Sequence, residues 1–152
     1  MQRTYQVGRS TRSIVFGDIT TSKAEVLVSS DDSQLSMGGG VSASIRRAAG
    51  QGILIEIGKR GRAKLGDVVV TSAGLLPAKY IFHAVTIGEG EVAVDEVVAN
   101  ATRRSLTLLR ELGLSSIAFP AIGAGLLVMH WKMSPPKWRR RLWGSSARPR
   151  TP

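Results

Sequence analysis

Apolar residues along this chain gather in short blocks and in one long stripe. The blocks at residues 4–7, 13–16, 25–28, 67–71, 80–85 and 116–119 predict six strands. Several are continuous, such as Val68-Val69-Val70, as in strands covered on both faces. The stripe occupies positions 94, 97, 98, 101, 105, 108, 109 and 112, and only Ser105 interrupts it. That spacing predicts a helix over residues 91–112. Glu91, Asp95 and Glu96 stand at its start and Arg103, Arg104 and Arg110 in its second half, the order that suits the helix dipole. Gly113 supplies a stop. A shorter helix follows Gly40, with Val41, Ile45 and Ala48 on one face. Gly50 and Gly52 interrupt it, and residues 53–58 begin another. Strands alternating with helices predict a three-layer α/β/α unit, a parallel or mixed sheet with flanking helices.

The pattern changes at Leu126. LLVMHW is apolar, and KMSPPKWRRRLWGSSARPRTP then keeps neither a helical nor a strand period. Four of the six prolines and all three tryptophans lie beyond residue 130. The expected organisation is a domain over residues 1–126 and a poorly ordered basic tail over residues 127–152. Charge follows the same division. The net charge is +10, but seven cations lie beyond residue 130 and leave residues 1–130 at only +3. A tail mixing arginine with tryptophan suits nucleic acid, through its phosphates and bases, as an alternative function, and equally a solvated end or acidic lipids. Lys137 to Arg141 also fits a weak nuclear-localisation pattern.

The 152 residues contain no cysteine, which removes disulfides and thiolate metal sites and favours an intracellular setting, cytoplasmic or nuclear. His83, inside an apolar run, reads as a core histidine, and His130 opens the tail. No metal and no cofactor are expected from such a set. The N-terminus has no signal-like stretch, and no apolar run is long enough to span a bilayer.

Three stretches carry candidate chemistry. Gly38, Gly39 and Gly40 separate a polar loop from a helix start, where unpaired backbone N–H groups and the dipole favour an anion. A flexible surface loop explains the same glycines equally well. A second glycine-containing loop, residues 119–125, follows the last predicted strand. Ligands of α/β sheets collect at the carboxyl ends of strands, so two such loops at one sheet edge suit a pyrophosphate. Asp18 ends the strand at residues 13–16 and reads either as a cap or as an acceptor for an amino group such as that of adenine. The run GEGEVA at residues 88–93 satisfies a dinucleotide fingerprint, yet Glu89 and Glu91 would set negative charge beside a pyrophosphate. It is expected to be a loop with a helix cap.

Taken together, GDIT, VSSDDSQLSMGGGVSASI, LPAKYIFHAV and SIAFPAIGAG resemble the macro domain family of ADP-ribose-binding modules, in order and spacing, over residues 10–126. The resemblance implies a mixed sheet between helices with ADP-ribose in a cleft at its edge, as a free ligand or on a modified protein. By that resemblance Asp18 bonds the adenine amine, with the Ile19 amide near the ring. Gly38, Gly39, Gly40 and Val41 form the first phosphate loop, and Ala121, Ile122, Gly123, Ala124 and Gly125 the second. Three departures stand out. The family pattern Asn-Ala-Ala-Asn is replaced by Ser29-Ser30-Asp31-Asp32. Asp32 then falls where an asparagine contacts the distal ribose, and it is the weak candidate for orienting a catalytic water. Neighbours in an extended strand point opposite ways, so only one of Asp31 and Asp32 is expected to face a ligand. Repulsion between them would raise one pKa. Ser42 stands where members with hydrolase activity carry an aspartate, which counts against hydrolysis of ADP-ribosyl or O-acetyl-ADP-ribose groups by that route. Finally, the family continues with a helix, a strand and a closing helix, so the C-terminal part of the fold is expected to be incomplete.

Overall fold

The computed structural model describes residues 2–88, 95–121 and 127–132. Seven strands form one mixed sheet: β1 (Gln2–Val7), β2 (Ser10–Phe16), β3 (Val26–Asp32), β4 (Val68–Ser72), β5 (Tyr80–Ile87), β6 (Ser116–Pro120) and β7 (Leu127–Lys132). Their order across the sheet is β1-β2-β7-β6-β3-β5-β4. β3 runs parallel to both β5 and β6, and the remaining neighbours pair antiparallel. Three helices flank it: α1 (Gly40–Ala49), α2 (Gly52–Gly58) and α3 (Asp95–Glu111). Among the described residues a single 3-10 turn covers Ile19–Thr21.

Alternation along β3 divides the core in two. Leu27 faces the side covered by α1 and α2, where it joins Ile45, Ile53 and Ile81. Val26 and Val28 face the other side, where Phe82, Leu109 and Ile117 pack with them. Both clusters are fully enclosed at β3 and β5, which explains the continuous apolar runs. Ser105, the interruption in the helical stripe, is buried without being orphaned. Its hydroxyl donates to the Ala101 carbonyl one turn back, at 2.8 Å.

The sheet has one strand more than the six predicted. β7 lies within the stretch read as tail, and it pairs with β2 on one side and β6 on the other. Six residues without alternation become a strand because two neighbours offer ladders to them, a tertiary effect that periodicity does not carry. β3 also runs four residues beyond its predicted end at Val28, through Ser29 to Asp32. The predicted helix over residues 91–112 is seen from Asp95, and residues 91–94 lie outside the described residues. On α1 the buried face is Ser42, Ala43, Ile45 and Ala49, while Val41 and Ala48 are only half-buried.

Candidate functional site

At the carboxyl end of β3 the chain enters a loop built from within. The Ser33 amide donates to the Ile87 carbonyl and the Leu35 amide to the Asp32 carbonyl. Leu35 and Met37 both adopt left-handed backbone angles, φ 55° and 49°. Such angles cost a branched or long side chain about 1–3 kcal/mol each and persist only where the surroundings enforce them. Here burial enforces them: both side chains sit in the core beside Ile45. The loop is thereby pinned from beneath, and Gly38, Gly39 and Gly40 are carried across the surface.

Gly39 caps α1 with an extended backbone and no side chain to satisfy the helix start. Gly40 has φ +56°, a conformation open to glycine. The first α-helical bond of α1 runs from the Ala43 amide to the Gly39 carbonyl, so the amides before Ala43 have no intrahelical acceptor. The positive end of the helix dipole adds to them. These amides border a cavity of about 440 Å³ lined by residues 38–42, Ser30, Asp32, Ile87, Pro120 and Ala121. The glycine loop and the first residue of the second loop therefore share one cavity. Ile122, Gly123, Ala124 and Gly125 lie outside the described residues, as do Glu89 to Ala93 of the rejected fingerprint. A second cavity of about 380 Å³ beneath α3 meets the first at Pro120 and Ala121.

Asp31 and Asp32 do point opposite ways. Asp31 is buried on the α1/α2 side, with its Oδ2 2.7 Å from Nδ1 of the equally buried His83. The other ring nitrogen, Nε2, lies 2.8 Å from Thr71 Oγ1, so a chain of polar groups crosses β3, β5 and β4 inside the core. His83 is a core histidine, as expected. Asp31 is no solvated turn residue.

Asp32 faces the cavity, and its carboxylate closes its own turn. Oδ1 accepts from the Gln34 amide at 2.9 Å and the Ser36 amide at 3.2 Å, and Oδ2 accepts a short hydrogen bond from the Ser36 hydroxyl. Partial burial pushes the carboxyl pKa up, but the Ser36 hydroxyl and the turn amides outweigh it and hold it below the usual value. The expected repulsion therefore does not raise Asp32, because its own turn supplies donors.

Asp18 stands elsewhere. Its Oδ1 accepts from the Thr20 amide (2.9 Å) and the Thr20 hydroxyl (2.8 Å) and caps the 3-10 turn. It borders a separate cavity of about 790 Å³ with Ser13, Ser22 and His130. Ile19, one residue on, is buried in the same cluster as Leu35 and Met37. Asp18 thus flanks the elements that anchor the glycine loop without lining the cavity at Gly38. Ser42 is buried, and its hydroxyl donates to the Gly39 carbonyl at 2.7 Å.

Ser30, Ile87 and Pro120 were not anticipated at the site. Ser30 pairs with Thr86 across β3 and β5 at 2.7 Å, between their hydroxyls. Its place two residues before Asp32 was the available signal, since i and i+2 share a strand face. His130, in β7 rather than in a tail, is half-buried with Nδ1 3.3 Å from Ser22 Oγ. Burial lowers its pKa.

Comparison with known proteins identifies the family. The family profile described as Macro domain matches residues 28–136. The O-acetyl-ADP-ribose deacetylase 1 of Pantoea vagans is 36% identical over 121 residues, covering 74% of this chain and 70% of that protein. A macrodomain of Oceanobacillus iheyensis with ADP superposes with a TM-score of 0.75 at 31% identity, covering 83% of this chain and 71% of the other. A Trypanosoma brucei macrodomain in complex with ADP-ribose gives 0.61 at 30% identity, covering 68% and 43%. The chain spans 69%, 65% and 59% of the length of three archaeal relatives that it matches at 35–41% identity. With the profile over most of the chain and the structural likeness in accord, the chain belongs to the macro domain family.

Proposed function

We propose that this protein binds ADP-ribose, free or attached to a modified protein. The diphosphate is held by backbone amides of residues 38–41 and of the loop that starts at Ala121. Asp32 stands toward the distal ribose, and Asp18, in the separate cavity beside the 3-10 turn, is the acceptor proposed for an adenine amine that extends beyond the cavity at Gly38. One observation carries the reading: the start of α1, without a capping side chain, opens into a cavity shared with Ala121. Amides and a helix dipole hold a diphosphate without a counter-cation. The solved relatives with ADP and ADP-ribose support the same ligand class.

Gly39→Asp tests it. The backbone at Gly39 is extended, and a Cβ there meets nothing within 4 Å. An aspartate at this position caps the free amides and stabilises α1 by a few tenths of a kcal/mol, on the order of known glycine-to-aspartate caps. Calorimetry should show ADP-ribose affinity falling at least about tenfold, that is about 1.4 kcal/mol, with the melting temperature kept or raised. Unchanged affinity in a folded variant removes the phosphate loop from the reading.

The deacetylase name of the Pantoea relative supports a second reading, turnover in the same cleft. Against it, the Ser42 hydroxyl and both Asp32 oxygens are committed to local hydrogen bonds. Acetate release from O-acetyl-ADP-ribose above the buffer rate would favour turnover over binding alone.

A further inference from the structure

We infer that one face of β1, β2 and β7, on the α3 side of the sheet, is a binding surface for single-stranded nucleic acid. Its cations take phosphates, and its exposed aromatic rings stack on bases. The surface is separate from the cavity at Gly38, and the inference does not depend on the binding reading above.

The placement of charge leads to it first. Residues 18–111 hold eleven lysines and arginines against eleven aspartates and glutamates, and so sum to zero. The whole net charge of +10 therefore belongs to two segments without a carboxylate: residues 1–17, with Arg3, Arg9 and Arg12, and residues 112–152, with the other seven cations. Far apart in sequence, these segments meet in the fold, because β7 pairs with β2 and β2 with β1. Three neighbouring strands thus carry cations and no acid, and six more cations follow Lys132 in the sequence. A one-signed field of this kind draws in a polyanion.

The register supplies the rings. Tyr5 stands opposite Arg12, and Arg12 opposite Trp131, so the three share one face. The Arg12 guanidinium lies over the Tyr5 ring, 5.6 Å from its centre. Trp131 packs against the core cluster that holds Leu109 of α3, which fixes the side. Val7 and Phe16 join that face by alternation. There Phe16 is 63% exposed, Val7 45% and Tyr5 41%, an apolar patch held between arginines. Charge decides what covers it. A second copy of the chain would bring the same cations to the patch, and the residues after Lys132 are basic as well. A strand of phosphates with unpaired bases matches both features: guanidinium groups pair with phosphates, and the rings stack on bases with little regard to sequence.

The test is fluorescence anisotropy on the full chain with a labelled single-stranded oligonucleotide of about ten nucleotides. The wild type should bind it with an affinity that falls steeply with salt. Phe16→Ala and Tyr5→Ala should each weaken binding at least about fivefold with the melting temperature kept, since both rings are exposed. Arg3→Gln should lower the slope of log affinity against log salt by about 0.7. A duplex of the same length offers phosphates without open base faces, so it should bind more weakly and lose little in Phe16→Ala. Arg139→Gln, Arg140→Gln and Arg141→Gln together should weaken binding generally and leave the Phe16→Ala loss in place. Absence of binding by the wild type at low salt overturns the inference. So does wild-type affinity in both folded aromatic variants, which would move the interaction to the residues after Lys132. Displacement of the oligonucleotide by ADP-ribose would put it in the cleft and overturn the inference as well. Capture by phosphatidylserine vesicles without oligonucleotide binding would make the face a lipid surface instead.

Discussion

The edge strand β1 and the interior of the sheet treat polar residues in opposite ways. β1 is exposed along its whole length, and its hydroxyls meet partners in water, as Thr4 does with Ser13 at 3.0 Å. β3 and β5 are enclosed, yet Asp31, His83 and Thr71 sit among their apolar neighbours in one connected chain. A polar group at the edge exchanges one partner for water at little cost, whereas a buried one has no such exchange. Polar groups at the centre of the sheet therefore depend on partners inside the protein, and those of the outer hairpin do not.

His83→Ala should break this contrast most sharply. It strips Asp31 Oδ2 of its hydrogen-bond partner inside the core, a loss of about 1–3 kcal/mol by analogy with buried polar groups left unsatisfied. Urea unfolding measures it. A loss below about 1 kcal/mol would place the centre on the same footing as the edge.

Glu25, just before β3, gives an intermediate case. Its carboxylate accepts from the Ser115 amide at 2.7 Å and from Lys79 Nζ at 2.8 Å. Burial pushes its pKa up, but Lys79 and the Ser115 amide and hydroxyl prevail and hold it below its ordinary value of 4.5. A carboxyl lowered in the folded state contributes stability above its unfolded pKa, and that contribution disappears as pH falls through the folded value. The melting temperature should thus fall on acidification below about pH 4.5, and the fall should be shallower in Glu25→Gln. Parallel curves for the two proteins would remove Glu25 from the account.

Thr4→Ala should matter least. Its hydrogen bond to Ser13 is exposed, and a change within about 0.5 kcal/mol is expected in the same urea experiment. A larger loss would mean that the outer hairpin supports the domain after all.

Much of the architecture was legible in the sequence because short apolar blocks and a 3.6-residue stripe are local signals. β7 was not, since its strand state comes from β2 and β6 on either side. The burial of Asp31 was hidden for a related reason. Two consecutive aspartates give no sign of burial until a histidine 52 positions later is brought against one of them. At the site, helix-start chemistry left a flexible surface loop equally open for the three glycines, whereas the split between Asp31 and Asp32 followed from strand alternation. The separation of Asp18 from the cavity at Gly38 could not, because it depends on how the 3-10 turn packs beside α1.

Leu35 and Met37 reach beyond stability. With both side chains sunk in the interior, the arrangement of the glycines is settled when the protein folds and not when a guest arrives. For the proposed ligand, this wall of the cavity then asks for no rearrangement of the backbone on binding.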